Sequence, residues 1–240
     1  MSDVNGPGFF GKVRTRGDFV SRRLPTEFTA AWDAWLQRGM LDARERFAAQ
    51  WLPVYLNAPL WSFALGAHVC GASAWAGVLM PGVDRVGRYF PFTIAAPVRG
   101  DDLGAWLRGA QRWYDAAAQF ALSTLADAFA LDRFDAALSA MPLPGGRDAD
   151  AAMDGGARWR LVPVDEGGDG IAFANWLAAS VLPGQCAWWT EGSDAVPSTL
   201  RVASGLPGAR QFTGLLDAGC PGWETVVALT RVPGDDAPSP

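Results

Sequence analysis

Lysine is almost missing from this chain. Of its 20 basic residues only Lys12 is a lysine, and the other 19 are arginines. Histidine occurs once, at His68, and cysteine three times, at Cys70, Cys186 and Cys220. A single histidine excludes a metal centre built on several imidazoles, and any histidine-dependent catalysis has to run through His68. Three distant cysteines without a Cys-x-x-Cys pair exclude a disulfide framework and a zinc knuckle; they fit buried thiols in a reducing compartment. Positive charge is in deficit, with a formal net charge of −5. That balance excludes a general nucleic-acid binder, which needs net basic surface to neutralise phosphates. Formal charge is absent altogether from residues 47–83. Within that stretch "LWSFALGAHVCGASAWAGVLM" has the length of a bilayer span. Pro59, Gly66, Gly71, Gly77 and Pro81 interrupt it, and His68 lies inside it. Short apolar runs cut by glycines read as strands buried on both faces, so no membrane insertion is expected. The N-terminus shows no basic-then-apolar leader.

Apolar residues are plentiful. They make up 50% of 240 residues and include 12 tryptophans, enough for a large core without disulfides or metals. Phe28, Trp32, Trp35 and Leu36 recur at helical spacing after Pro25, predicting a helix to about Phe47 with Gly39 as its weak point. "QWLPVYLNAP" predicts a short helix ending before Pro59. "LWSFALG", "ASAWAGVLM" and "YFPFTIAA" predict strands, the last two joined as a hairpin by a turn that carries Asp84, Arg85 and Arg88. Helices are expected between Asp101 and about Ser139, with a break near Ser123. Beyond Gly156 the expected order is strand "ARWRLVPV", helix "FANWLAASVL", strands "QCAWWTEG" and "STLRVAS", and helix "ARQFTGLLDA". The fold class is therefore α/β leaning to α+β: a mixed, mostly antiparallel sheet flanked by helices, forming one compact unit. Residues 1–141 form an N-terminal region, 142–156 a loop or linker, 157–230 a C-terminal α/β region packed on the first, and 231–240 a disordered tail.

The spacing Gly6, Gly11, Lys12 is that of a phosphate-binding loop. Such a loop needs a buried strand before it and a hydroxyl after the lysine. "MSDVN" is no such strand, Val13 has no hydroxyl, and Pro7 lacks an amide donor. The glycines are instead expected to serve backbone turns at the edge of the fold. His68 and Cys70 share a face if their segment is a strand, which keeps a hydrolase-like dyad as the alternative reading. No Gly-x-Ser-x-Gly or Ser-x-x-Lys nucleophile motif accompanies them. The carboxylate clusters Asp101–Asp102, Asp165–Glu166 with Asp169, and Asp235–Asp236 lack calcium-loop spacing and read as caps or solvated loops. No cofactor and no metal are expected. Two arginine groups remain, Arg14, Arg16, Arg22 and Arg23 in the first segment and Arg85 and Arg88 in the hairpin turn. They either receive an acidic or phosphorylated partner, pair internally with Asp18 and Asp84, or form a simple solvated face.

Four stretches together, "GFFGKVRTRGDFVSRRLP", "WDAWLQ", "WAGVLMPGVDRVGRYFPFTIAAP" and "WWTEGS", resemble the TagF (ImpM) family of bacterial type VI secretion-associated proteins. Two positions depart from the family's pattern: Arg14 stands where proline is usual, and Gly82 where serine is frequent. The resemblance implies a non-enzymatic, cytoplasmic accessory regulator. It further implies a post-translational repressor that binds a forkhead-associated scaffold protein of the secretion system, with a functional link to a threonine kinase/phosphatase pair. On this reading Arg16, Asp18, Asp84, Arg85 and Arg88 are the expected partner-binding residues.

Overall fold

The chain is described here from a computed structural model, in which residues 6–98, 103, 106–107, 110–144, 159–163, 184–220, 222–223 and 227–231 are described. Among the described residues nine strands form one sheet: β1 (Gly8–Gly11), β2 (Val20–Arg22), β3 (Trp61–Leu65), β4 (Trp75–Met80), β5 (Phe92–Pro97), β6 (Trp159–Pro163), β7 (Gln185–Thr190), β8 (Thr199–Ser204) and β9 (Val227–Arg231). Their spatial order is β2-β1-β5-β4-β3-β7-β8-β9-β6. Every pairing among the described residues is antiparallel. Strands from either side of the Pro142–Gly156 stretch meet at β3 and β7, where Phe63 lies opposite Trp188. The expected hairpin is present as β4 and β5, with Met80 opposite Phe92. β9 was not legible in advance and takes in Arg231, the first residue of the expected tail; the rest of that tail, the expected helix "FANWLAASVL" and the three carboxylate clusters lie outside the described residues.

Helices cover both faces. α1 (Thr26–Phe47) and α5 (Ala209–Leu216) lie on one side. α3 (Gln111–Ser123) and α4 (Leu131–Ser139) lie on the other. A short α2 (Trp51–Leu56) follows α1. The strand pleat explains the two cores. Phe92, Ile94 and Ala96 alternate onto the α3/α4 face, while Trp61, Phe63 and Leu65 alternate onto the α1/α5 face. Because β3, β4 and β5 are buried on both faces, their sequences are near-continuous apolar runs, interrupted by Ser62 and Thr93.

Aromatic packing anchors α1. Trp32 stacks on Trp188 with centroids 5.9 Å apart and planes 7° apart, and tilts against Phe63 at 4.8 Å. Its buried indole N–H donates to Thr93 Oγ1 at 2.9 Å, and that of Trp35 donates to the Pro207 carbonyl at 2.7 Å. Each N–H is thus satisfied in a site that water does not reach. Gly39 is not a weak point. The helix runs straight through it, and a Cβ there would stand 2.3 Å from the Phe212 ring. The missing side chain is what lets α1 and α5 cross closely. Gly39→Leu is therefore expected to cost about 1–3 kcal/mol by overpacking. A lower urea midpoint with an unchanged slope in equilibrium unfolding checks this.

Candidate functional site

The stretch Gly8–Phe9–Phe10–Gly11–Lys12 is strand β1 and the residue after it. Both glycines are set by close backbone approach. A Cβ on Gly8 would lie 2.4 Å from the Arg22 carbonyl oxygen. Gly11 has φ +136°, and a Cβ there would lie 2.1 Å from the Pro91 carbonyl oxygen. Gly8 and Gly11 are thus the packing requirement of β1 between β2 and β5, whereas Gly6, the first glycine of the phosphate-loop spacing, lies before the strand, and a Cβ on it would meet only the Ser139 carbonyl oxygen at 3.8 Å. Gly11→Ala is expected to cost at least about 2 kcal/mol, because it combines a backbone conformation disfavoured for L-residues with a steric overlap. A fall in thermal midpoint measures it.

β1 delivers Lys12 into the protein. Its Nζ donates to Asp84 Oδ2 at 2.9 Å, and the side chains are 7% and 0% exposed. Asp84 opens the turn between β4 and β5. Its Oδ1 accepts the amides of Val86 and Arg88 at 2.9 and 2.8 Å, and Oδ2 also accepts Arg88 Nε at 2.7 Å. Four donors therefore converge on one buried carboxylate. Burial by itself raises the carboxyl pKa, but the hydrogen bonds from Lys12, from both the amide and the guanidinium of Arg88 and from the Val86 amide outweigh it. The carboxyl is held well below the usual carboxylate range.

The same turn is tied down from two other directions. Tyr55 Oη donates to the Gly82 carbonyl at 2.9 Å, and the Gly82 amide lies 2.8 Å from that hydroxyl. A Cβ on Gly82 would stand 2.5 Å from the Phe90 carbonyl oxygen and 2.7 Å from that of Lys12. Glycine here lets three backbone segments close on one another. Arg88 donates to the Gly17 carbonyl and lies 3.9 Å from Asp18. The Arg85 amide donates to the Arg16 carbonyl at 3.0 Å. Loop 14–19 and turn 84–88 are thereby stitched into one surface.

The five residues expected to bind a partner divide into two kinds. Asp84 is internal, and Arg88, though exposed, is engaged with it. Arg16, Asp18 and Arg85 are exposed at the surface. Among the described residues the Arg16 and Arg85 guanidinium groups have no hydrogen-bond or ion-pair partner. The other arginines of the first segment are engaged: Arg14 lies 3.6 Å from Asp127, and Arg22 and Arg23 both face Asp135. Sequence reasoning also missed Phe19. Its ring stacks on Phe10, meets Phe90 edge-on at 4.8 Å and lies 5.1 Å from Lys12 Nζ, yet it remains 48% exposed. Val86 at the tip of the turn is 64% exposed. A cleft of about 410 Å³ opens here, lined in part by Arg16, Asp18, Phe19, Arg22, Arg85 and Leu131.

The alternative site is not assembled. His68 stands in a turn with φ +72°, not on a strand, so the expected shared face is lost. Its side chain is exposed, whereas Cys70 is buried and burial pushes the thiol up to about 12. A thiol so placed stays protonated at neutral pH and is a poor nucleophile. Among the described residues no group of three or more His, Cys, Asp or Glu side chains is arranged to hold a metal ion. No helix among them is long and apolar enough to cross a membrane.

Comparison with known proteins agrees with this geometry. The TagF N-terminal domain family, described as type VI secretion system-associated, matches residues 8–141. That span contains β1, the Lys12–Asp84 pair and both loops of the basic surface. Comparison with curated proteins gives no match. Among solved structures, the crystal structure of PA0076 from Pseudomonas aeruginosa PAO1 is 33% identical, with a TM-score of 0.74. The alignment covers 95% of this chain and 100% of that one, so the likeness extends through the strands after Pro142 as well. The glycines that let β1 pack, the buried pair it carries and the turn that pair organises all lie within the matched span, and the chain belongs to the TagF family of type VI secretion system-associated proteins.

Proposed function

We propose that this protein is a non-enzymatic, cytoplasmic repressor of a type VI secretion system that acts by binding a forkhead-associated scaffold protein. The docking face is the surface made by loop 14–19 and turn 84–88. The observation that carries the reading is the contrast between two sets of charges in that surface. Lys12, Asp84 and Arg88 are engaged with one another and build a rigid frame. Arg16 and Arg85 project from that frame beside Phe19 and Val86, without partners of their own among the described residues. Cations and exposed apolar side chains on a pre-ordered backbone are what a protein–protein contact uses: apolar anchors for affinity and charges for orientation and encounter rate. Catalysis would need a poised nucleophile or base, and the His68–Cys70 geometry supplies neither.

Titration of the scaffold protein against the wild-type chain and against the Arg16→Glu/Arg85→Glu variant tests the reading. Binding lost without a change in melting temperature supports it, and unchanged binding removes this face.

A further inference from the structure

Arg16 and Arg85 are neighbours by construction, because the amide of one donates to the carbonyl of the other at 3.0 Å. Both residues line one cleft, together with Arg22. Holding like charges side by side without counter-charges is unfavourable, and the chain as a whole is acidic. The nearby carboxylates do not relieve it. Asp84 is buried among four donors, Asp135 faces Arg22 and Arg23, and Asp18, which lines the same cleft, is fully exposed with Arg88 3.9 Å away. Gly17 lines the same wall, with Arg85 Nη2 3.9 Å from where its Cβ would stand, an ordinary contact distance. The apolar part of the surface is Phe19, with Leu131 in the floor of the cleft and Val86 at the turn.

From this we infer that the cleft is a receptor for an acidic peptide segment, with carboxylate side chains taken by Arg16 and Arg85 and an apolar side chain seated on Phe19. The inference rests on the docking reading above and names the chemistry of the partner's contact. A guanidinium fork matches a carboxylate in a two-point, charge-assisted hydrogen bond, and two free forks take two carboxylates. The neighbouring aromatic face selects against a purely ionic ligand, because simple anions leave Phe19 in water. A polyanion such as nucleic acid is disfavoured by the chain's net charge of −5.

The probe is a blocked peptide, Gly-Glu-Glu-Leu-Glu-Glu-Gly, titrated into the full chain at low salt and followed by calorimetry. A counterpart with lysine for every glutamate, and one with phosphothreonine for the two central glutamates, are run beside it. The expected result is saturable binding of the glutamate peptide. Affinity should fall at least about tenfold in Arg16→Ala/Arg85→Ala, stay closer to wild type in Arg16→Lys/Arg85→Lys, and weaken as salt is raised. Melting temperatures of the variants should match wild type, since neither side chain supports the fold. No saturable binding, equal binding of the lysine peptide, or binding that survives the alanine changes would overturn the inference. Binding of the phosphothreonine peptide more than about tenfold tighter than the glutamate peptide would overturn the carboxylate assignment in favour of a phosphoryl group. The two readings fail separately. If charge reversal abolishes scaffold binding while the peptide is ignored, docking stands and the acidic segment does not. If the peptide binds and the scaffold does not, the docking proposal is what falls.

Discussion

Asp84→Ala is expected to destabilise the fold by about 3–5 kcal/mol, the cost of removing one partner from a buried ion pair. The side chain is fully buried, and its loss strands Lys12, itself 7% exposed, without a counter-ion. It also frees the amides of Val86 and Arg88 and the guanidinium of Arg88. Lys12→Met should cost less, because Asp84 keeps three of its four donors. The double variant Lys12→Met/Asp84→Ala should be more stable than the sum of the two single losses requires, since it leaves no unpaired buried charge. Equilibrium unfolding of the four proteins forms a double-mutant cycle that reads this coupling. The pH dependence has a definite sign. Asp84 has its carboxyl pKa depressed in the folded state, so the contribution is fully present above the unfolded carboxylate value of about 4. It is lost as pH falls from there toward the folded value. Wild type should therefore lose stability below about pH 4 more steeply than Asp84→Ala does. Parallel acid limbs for the two proteins would show that the pair contributes nothing to the linkage.

The second large effect is on binding. Arg16→Glu/Arg85→Glu is expected to weaken the complex with the forkhead-associated scaffold at least about 100-fold, with the thermal midpoint unchanged. Each reversal replaces an attraction by a repulsion, and truncating one side of a desolvated charge pair commonly costs 2–5 kcal/mol. Stability is spared because neither guanidinium has an internal partner among the described residues, while the backbone bond from Arg85 to Arg16 does not depend on either side chain. Arg88→Glu gives a different pattern. That side chain bonds Asp84 and the Gly17 carbonyl, so its reversal disturbs both loops and lowers stability and binding together. Phe19→Ala should weaken the complex as well. Because Phe19 also packs on Phe10 and Phe90 and lies over Lys12, some stability is lost with it. Comparing these variants in one titration series separates the frame from the contact.

Much of the fold was legible in the sequence because its causes are local. The uncharged run from Phe47 to Val83 showed buried strands through apolar stretches cut by glycine, and β3 and β4 lie there. Aromatic spacing after Pro25 showed α1, whose ends fall within a residue or two of the expected ones. The turn with Asp84, Arg85 and Arg88 was visible as a charged interruption between two apolar runs.

What stayed hidden depends on contacts between distant residues. Gly39 reads as a helix defect until Phe212 is placed against it, 173 positions later in the chain. Lys12 and Asp84 are 72 positions apart, so nothing in either neighbourhood declares the pair. The six arginines singled out look alike in sequence. Only the placement of Asp84, Asp127 and Asp135 shows which of them are occupied and which two have no partner among the described residues. His68 and Cys70 failed for a local reason that the sequence did not expose: the chain turns at His68 instead of continuing as a strand.

The central claim is that one rigid, arginine-bearing surface meets the scaffold. Hydrogen–deuterium exchange of the chain, alone and in complex with its forkhead-associated scaffold, tests it most directly. The account predicts slowed exchange concentrated in residues 14–22 and 84–90, with the amides over α1 and α2 unchanged. Slowing over α1 and α2, with residues 14–22 and 84–90 exchanging as in the free protein, would contradict it.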